Sequence, residues 1–208
     1  MASPVAVIAP VIVETLDLFG IAVFAASGAL AAARARQTLV TFAFFALVTG
    51  VGGGTVRDLL IGAPVFWVHD WRVPGVCLAT ALGIWVLPRK LWPERAVDWF
   101  DAAGLAVYAV FGAAKAMSLG VPALPAVMMG VMTACVGGII RDVLAGVPSI
   151  LLRPEIYVTA AALAAASFVV LALLGVPVLI AAPIGAVSGF GLRAAAIARG
   201  LSIPSYRG

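Results

Sequence analysis

The sequence predicts an all-α integral membrane protein, with seven transmembrane helices as two inverted three-helix repeats plus a seventh helix. Three observations carry this. Of 208 residues, 64% are hydrophobic and only 11% charged, with a mean hydropathy of +1.17, whereas soluble domains carry about 25% charged residues. The apolar residues gather into stretches near the ~20 residues that cross ~30 Å of hydrocarbon at about 1.5 Å per residue. The chain also repeats itself: moving Arg57-Asp58 forward by 84 positions lands on Arg141-Asp142.

The seven segments run 15–33, 38–62, 74–90, 99–118, 122–146, 156–174 and 176–195. Glu14 and Asp17 at the first, Asp101 at the fourth and Glu155 at the sixth are expected to meet the positive end of a helix dipole. The second holds TGVGGGTVRDLLIG, the fifth VGGIIRDVLAG, and only Gly175, Val176 and Pro177 part the sixth from the seventh. A single membrane domain follows, with repeat one at 14–90, repeat two at 98–174, the seventh helix at 176–195 and a short tail at 196–208. No basic stretch precedes the first apolar run, so a cleaved leader is not expected.

Charge sets the expected orientation. Odd-numbered connections and the C-terminus hold ten of the thirteen Lys and Arg residues; the other side holds Arg57, Arg72 and Lys115. That split places the C-terminus in the cytoplasm and the N-terminus outside. The net charge of +4 then reflects membrane topology, and nucleic acid is not an expected partner. Cys77 and Cys135 lie in apolar runs without paired spacing and read as small buried hydrophobes. His69, the only histidine, reads as interfacial. No catalytic residue and no metal site are expected.

The repeat is the most informative feature. Between 48–64 and 132–148, eight of seventeen positions match, including Thr49/Thr133, Gly53/Gly137, Gly54/Gly138, Arg57/Arg141 and Asp58/Asp142. Three spans per copy is an odd number, so the second copy enters the membrane from the opposite face. Gly52, Gly53 and Gly54 then reach the same depth as Gly137 and Gly138. Discontinuous helices at such a depth build polar sites in inverted-repeat membrane proteins, so a kink beside a cavity is expected at both clusters. For Gly185 and Gly189 close helix packing is expected instead. Neighbouring side chains on a helix do not face each other, so Arg57, Asp58, Arg141 and Asp142 are expected to find partners on other helices, as inter-helix ion pairs or pathway charges. Ser27, Thr49 and Thr133 are candidate pathway hydroxyls. Lys115, whose repeat mate is Ala31, either snorkels to the outer surface or gates a pathway. The Gly-Gly-x-x-Arg-Asp string also occurs in tRNA nucleotidyltransferases, but that chemistry needs a metal-holding carboxylate pair, and the sequence has no Asp-x-Asp.

The segments FAASGALAA at 24–32, TGVGGGTVRDLLIGAPVFW at 49–67, GAAKA at 112–116 and GGIIRDVLAGVPSILLRPEIY at 137–157 resemble the prokaryotic trimeric intracellular cation (TRIC) channel family. Some of these bacterial proteins are also described as glycine transporters. The resemblance implies a homotrimer in a bacterial or archaeal cytoplasmic membrane, with one hourglass pore per protomer passing K⁺ and also Na⁺. It implies pore kinks at Gly52, Gly53, Gly54, Gly137 and Gly138, and a gating role for Lys115. No cofactor is implied beyond permeant K⁺ or Na⁺ and membrane lipid, which includes a bound lipid. Val136 replaces the first glycine of the second cluster, so a milder kink is expected there. Lys115-Ala116-Met117 stands where animal members carry Lys-Glu-Val, and phosphoinositide regulation is not expected. A secondary transporter of a small amino acid such as glycine is the alternative, since inverted repeats serve transporters equally. A non-conducting structural protein is the third.

Overall fold

A computed structural model describes the backbone of residues 4–93 and 95–204, and side chains from residue 17 onward except 89 and 94. Among the described residues seven α-helices are formed: α1 Pro4–Arg34, α2 Leu39–Leu60, α3 Arg72–Val86, α4 Ala96–Ser118, α5 Ala123–Leu144, α6 Val158–Leu173 and α7 Val178–Arg199. Five of them are long and apolar enough to cross a membrane; α3 and α6, at 15 and 16 residues, fall short of a full span. Thr38 caps α2 by accepting the Thr41 N–H, and Gly200 ends α7 in the left-handed conformation at φ 65°. Ahead of α3, Asp70 accepts the backbone N–H and the guanidinium of Arg72, a hydrogen bond that holds its carboxyl below the usual range.

Packing follows the repeat. Helices α1, α2 and α3 form one mutual bundle and α4, α5 and α6 another, while α1 meets α4, α2 meets α5, and α7 lies on α4 and α6. The α2–α5 crossing is antiparallel and two-fold symmetric: a Cβ at Gly53 would fall on the Thr133 carbonyl, and one at Gly137 on the Thr49 carbonyl. The α1–α4 contact obeys the same operation, with Gly20 under Tyr108 and Gly104 under Phe24. Small residues let backbones approach this closely where lipid offers no hydrophobic drive between helices.

The kink expected at the glycines does not take the form of a break in either helix. Both α2 and α5 stay helical through Gly52, Gly53, Gly54, Gly137 and Gly138, so no unwound carbonyls face a cavity. Close packing accounts for them: the crossing requires hydrogen in place of Cβ at Gly53 and Gly137, while Gly54 makes room for the Phe66 ring and Gly138 for the Tyr157 hydroxyl. Gly185 and Gly189 pack as expected, against Ala164 and Phe168 of α6. Two dipole assignments also change. Because α1 starts at Pro4 and α4 at Ala96, Asp17 and Asp101 lie inside their helices and serve as hydrogen-bond acceptors there. Glu14 falls outside the described side chains.

Candidate functional site

Two buried ionic nodes occupy the ends of the α1–α2–α4–α5 core, one near the last turn of α5 and one near the last turn of α2. At the first, Arg141 is 3% exposed and uses every edge of its guanidinium. Its Nε and Nη2 donate to Asp142 Oδ1 at 2.9 and 2.8 Å. Its Nη1 donates to Asp101 Oδ1 of α4 at 2.5 Å and to Ser27 Oγ of α1. Asp142 Oδ2 accepts the Ile150 N–H at 2.9 Å, tying the α5–α6 connection to the node. Gly138 makes the room: a Cβ there would sit 2.8 Å from the Tyr157 hydroxyl and 3.1 Å from Asp101 Oδ1.

The second node repeats the fork. Arg57 Nε and Nη2 donate to Asp58 Oδ1 at 2.9 and 2.8 Å, and Asp58 Oδ2 accepts the Phe66 N–H at 3.0 Å. Its second cation is Lys115, whose Nζ lies 2.8 Å from the same Oδ1 and 5.9 Å from the centre of the Phe66 ring. Lys115 is thus tied to a buried carboxylate and is not simply reaching for the surface. The Arg57 guanidinium lies over the same ring, also at 5.9 Å, within the ~6 Å over which a cation feels an aromatic face.

Arginine and its following aspartate do pair, contrary to expectation. The arginine side chain is long enough to curl past one backbone step, and in a dry setting the nearest carboxylate is its strongest partner. The partners on other helices come in addition, through Asp101, Ser27 and Lys115. The nodes are also not equivalent. Asp17 corresponds to Asp101 but accepts the Tyr108 hydroxyl at 2.7 Å, and Phe111 stands at the position equivalent to Ser27. Arg57 Nη1 is accordingly buried without a hydrogen-bond partner among the described residues. The expected hydroxyls divide likewise. Ser27 is held by Arg141, Thr133 donates to the Met129 carbonyl at 2.6 Å, and Thr49 Oγ1 is buried without a partner.

One buried charge escaped the reading of the sequence. Arg193 of α7 is 2% exposed, donates to Glu155 at 2.7 Å and to the Ile156 carbonyl at 3.3 Å, and lies over the Tyr157 ring. Glu155 is therefore an ion-pair partner; α6 begins without a side-chain cap. The signal was present, because an arginine inside an apolar segment calls for a named partner. Among the described residues no cluster of His, Cys, Asp and Glu could hold a metal ion.

A family model described as Glycine transporter matches this chain twice, over residues 14–89 and 98–173. The chain belongs to that family. The UPF0126 membrane protein of Vibrio cholerae is 45% identical over 150 residues, covering 70% of this chain and 62% of that protein. The UPF0126 inner membrane protein YadS of Escherichia coli K12 is 44% identical over 154 residues, 72% of this chain and 73% of the relative. Against the relative from Vibrio, then, the match spans somewhat under two thirds of its length. A crystal structure of the TRIC trimeric intracellular cation channel orthologue from Rhodobacter sphaeroides superposes with a TM-score of 0.84 at 41% identity, covering 91% of this chain and 99% of that one. A second structure, described as revealing conductance through TRIC cation channels, gives a TM-score of 0.84 at 27% identity over 93% and 97%. This family member therefore has the fold of the TRIC channels.

Proposed function

We propose that the chain is a passive channel for monovalent cations, K⁺ with Na⁺ also passing, assembled as a homotrimer with one pathway per protomer. The bacterial or archaeal cytoplasmic membrane is its proposed site, with the N-terminus outside and the C-terminus inside. The likeness to a cation channel of Rhodobacter sphaeroides at 41% identity carries this reading. The ionic nodes support a gated pathway. The Arg141 node sets one guanidinium against the carboxylates of Asp101 and Asp142, formally one negative charge in excess, whereas the other sets Arg57 and Lys115 against Asp58, formally one positive charge in excess, so the charge of the nodes does not itself choose the ion. Both nodes bridge separate helices, Arg141 joining α5 to α4 and α1, and Lys115 joining α4 to α2. Such bridges hold a pathway shut; parting them hydrates the core and opens it. The glycines act here as the close contact between α2 and α5, and Lys115 as a gating residue.

The family description favours a second reading, a carrier of a small amino acid such as glycine. Reconstitution into a planar bilayer under a KCl gradient separates the two. Unitary currents reversing near the K⁺ potential are expected. Saturable, gradient-coupled glycine uptake by liposomes of the same preparation, without unitary currents, would overturn the channel.

A further inference from the structure

The Arg141 node holds more negative charge than its partners answer. Asp101, Asp142, Arg141 and Tyr157 are each at most 5% exposed, and two carboxylates there share one guanidinium. A charge left over in so dry a place is costly. Two oxygens are left over as well. Asp101 Oδ2 and the Tyr157 hydroxyl are both buried without a hydrogen-bond partner among the described residues. The two residues are neighbours: a Cβ on Gly138 would lie 2.8 Å from the Tyr157 hydroxyl and 3.1 Å from Asp101 Oδ1.

The internal repeat shows what the other node has in addition. Asp17 and Asp58, the equivalents of Asp101 and Asp142, face two cations: Arg57 and Lys115 both pair with Asp58, and both act on Asp17. Asp17 also has the Tyr108 hydroxyl as a donor. The position equivalent to Lys115 is Ala31, so no ammonium reaches the Arg141 node from there. The position equivalent to Tyr157 is Val73, so the spare phenol oxygen belongs to the Arg141 node alone. One copy thus carries a second cation on its own chain, and the other carries two unused oxygens.

We propose that the Arg141 node binds one monovalent cation, K⁺ or Na⁺, between Asp101 Oδ2 and the Tyr157 hydroxyl oxygen, in the part that Lys115 plays at the other node. Carboxylate and hydroxyl oxygens suit a hard cation, and Ser27 Oγ is a further oxygen at the node. The charge in excess is one, which a monovalent ion balances. The three His, Cys, Asp or Glu ligands that would hold a divalent ion are not found together among the described residues. Such a site deepens the channel proposal by giving a permeant ion a resting place, and it rests on that proposal for the ion's route in and out.

The test titrates the whole protein in detergent with KCl, replacing choline chloride at constant ionic strength, and reads the thermal midpoint. An ion that binds only the folded chain raises the midpoint by mass action. A rise with K⁺ or Na⁺ over choline is expected. Tyr157→Phe keeps the ring beneath Arg193 and removes one oxygen. About tenfold more K⁺ should then give the same rise, as loss of one contact to a charged group implies. Asp101→Asn removes the excess charge and should abolish the response. Asp17→Asn, at the other node, should lower the midpoint itself and keep the response. A response unchanged in Tyr157→Phe, or lost in Asp17→Asn, would overturn the site. So would a midpoint indifferent to K⁺ and Na⁺ but raised by acid, which would put the balancing charge on a proton at Asp101. Should Asp101→Asn not fold, Tyr157→Phe decides alone. The channel reading fails separately: a K⁺ response without unitary currents leaves the site standing, and currents without the response remove the site alone.

Discussion

Tyr108 and Asp17 show what a buried polar pair contributes. The hydroxyl of Tyr108 reaches both Oδ1 and the carbonyl oxygen of Asp17, at 2.7 and 3.1 Å, joining α4 to α1. A buried acceptor left without its donor costs about 1–3 kcal/mol, so Tyr108→Phe should lower the thermal midpoint in detergent while the helix content by circular dichroism is kept. An unchanged midpoint would mean that water reaches Asp17. Arg141 is more exacting, because three acceptors on three helices depend on one planar fork. Lysine offers a point charge and no fork, and breaking a buried ion pair costs about 3–5 kcal/mol. Arg141→Lys should therefore destabilise the protein strongly and lengthen channel openings in whatever fraction folds. Lys115→Ala leaves Asp58 paired with Arg57, so folding should be retained while open probability rises in single-channel records. A lower open probability would remove Lys115 from the role of a bar across the pathway. These roles were only partly legible in the sequence. The residues of each fork stood out by repetition, but Tyr108 did not, since its repeat mate is Phe24 and a tyrosine among apolar residues carries no periodic mark.

At the scale of the helix, the glycines were legible as a pattern, and the sequence did not reveal what packs against them. Their recurrence in both copies marks a place where a side chain is not tolerated, and the sequence alone does not say what occupies that space. Backbone occupies it: the Thr133 carbonyl over Gly53 and the Thr49 carbonyl over Gly137. Overpacking costs about 1–3 kcal/mol where neighbours have to move, and here the neighbour is helical backbone. Gly53→Ala or Gly137→Ala should lower the thermal midpoint clearly, whereas Gly191→Ala, with nothing within 4 Å, should match or exceed the parent, as alanine is the better helix former. Equal effects at all three positions would refute the crossing. Segment limits were read within a few residues for α2 and for α4 to α7. The largest difference is the start of α1, read at 15 and found at Pro4. At α3 the helix ends at Val86, and the short 3₁₀ segment Arg89–Leu91 takes residues that a hydropathy window counts as span.

For the whole molecule, topology was the most legible layer, because a repeat of odd span number leaves inversion as its only outcome in a membrane. The antiparallel α2–α5 and α1–α4 contacts are that inversion made physical. The cleft of about 600 Å³ among the ends of α1 and α3 and the start of α2 was not legible, since it is assembled from separate helices whose residues are far apart in the chain. The symmetric crossing of α2 and α5 also gives the two repeats a shared fulcrum. Gly53 stands seven residues from the end of α2 and fourteen from its start at Leu39, so at about 1.5 Å per residue the arms are about 10 and 21 Å long. A rocking of about 10° would swing the short arm, which bears Arg57 and Asp58, by about 2 Å and the long arm by about 4 Å. Because α5 is hung on the same point by the same symmetry, its short arm bears Arg141 and Asp142. Leverage of this kind would loosen the two ionic clasps together, on opposite faces, from one small displacement at the centre.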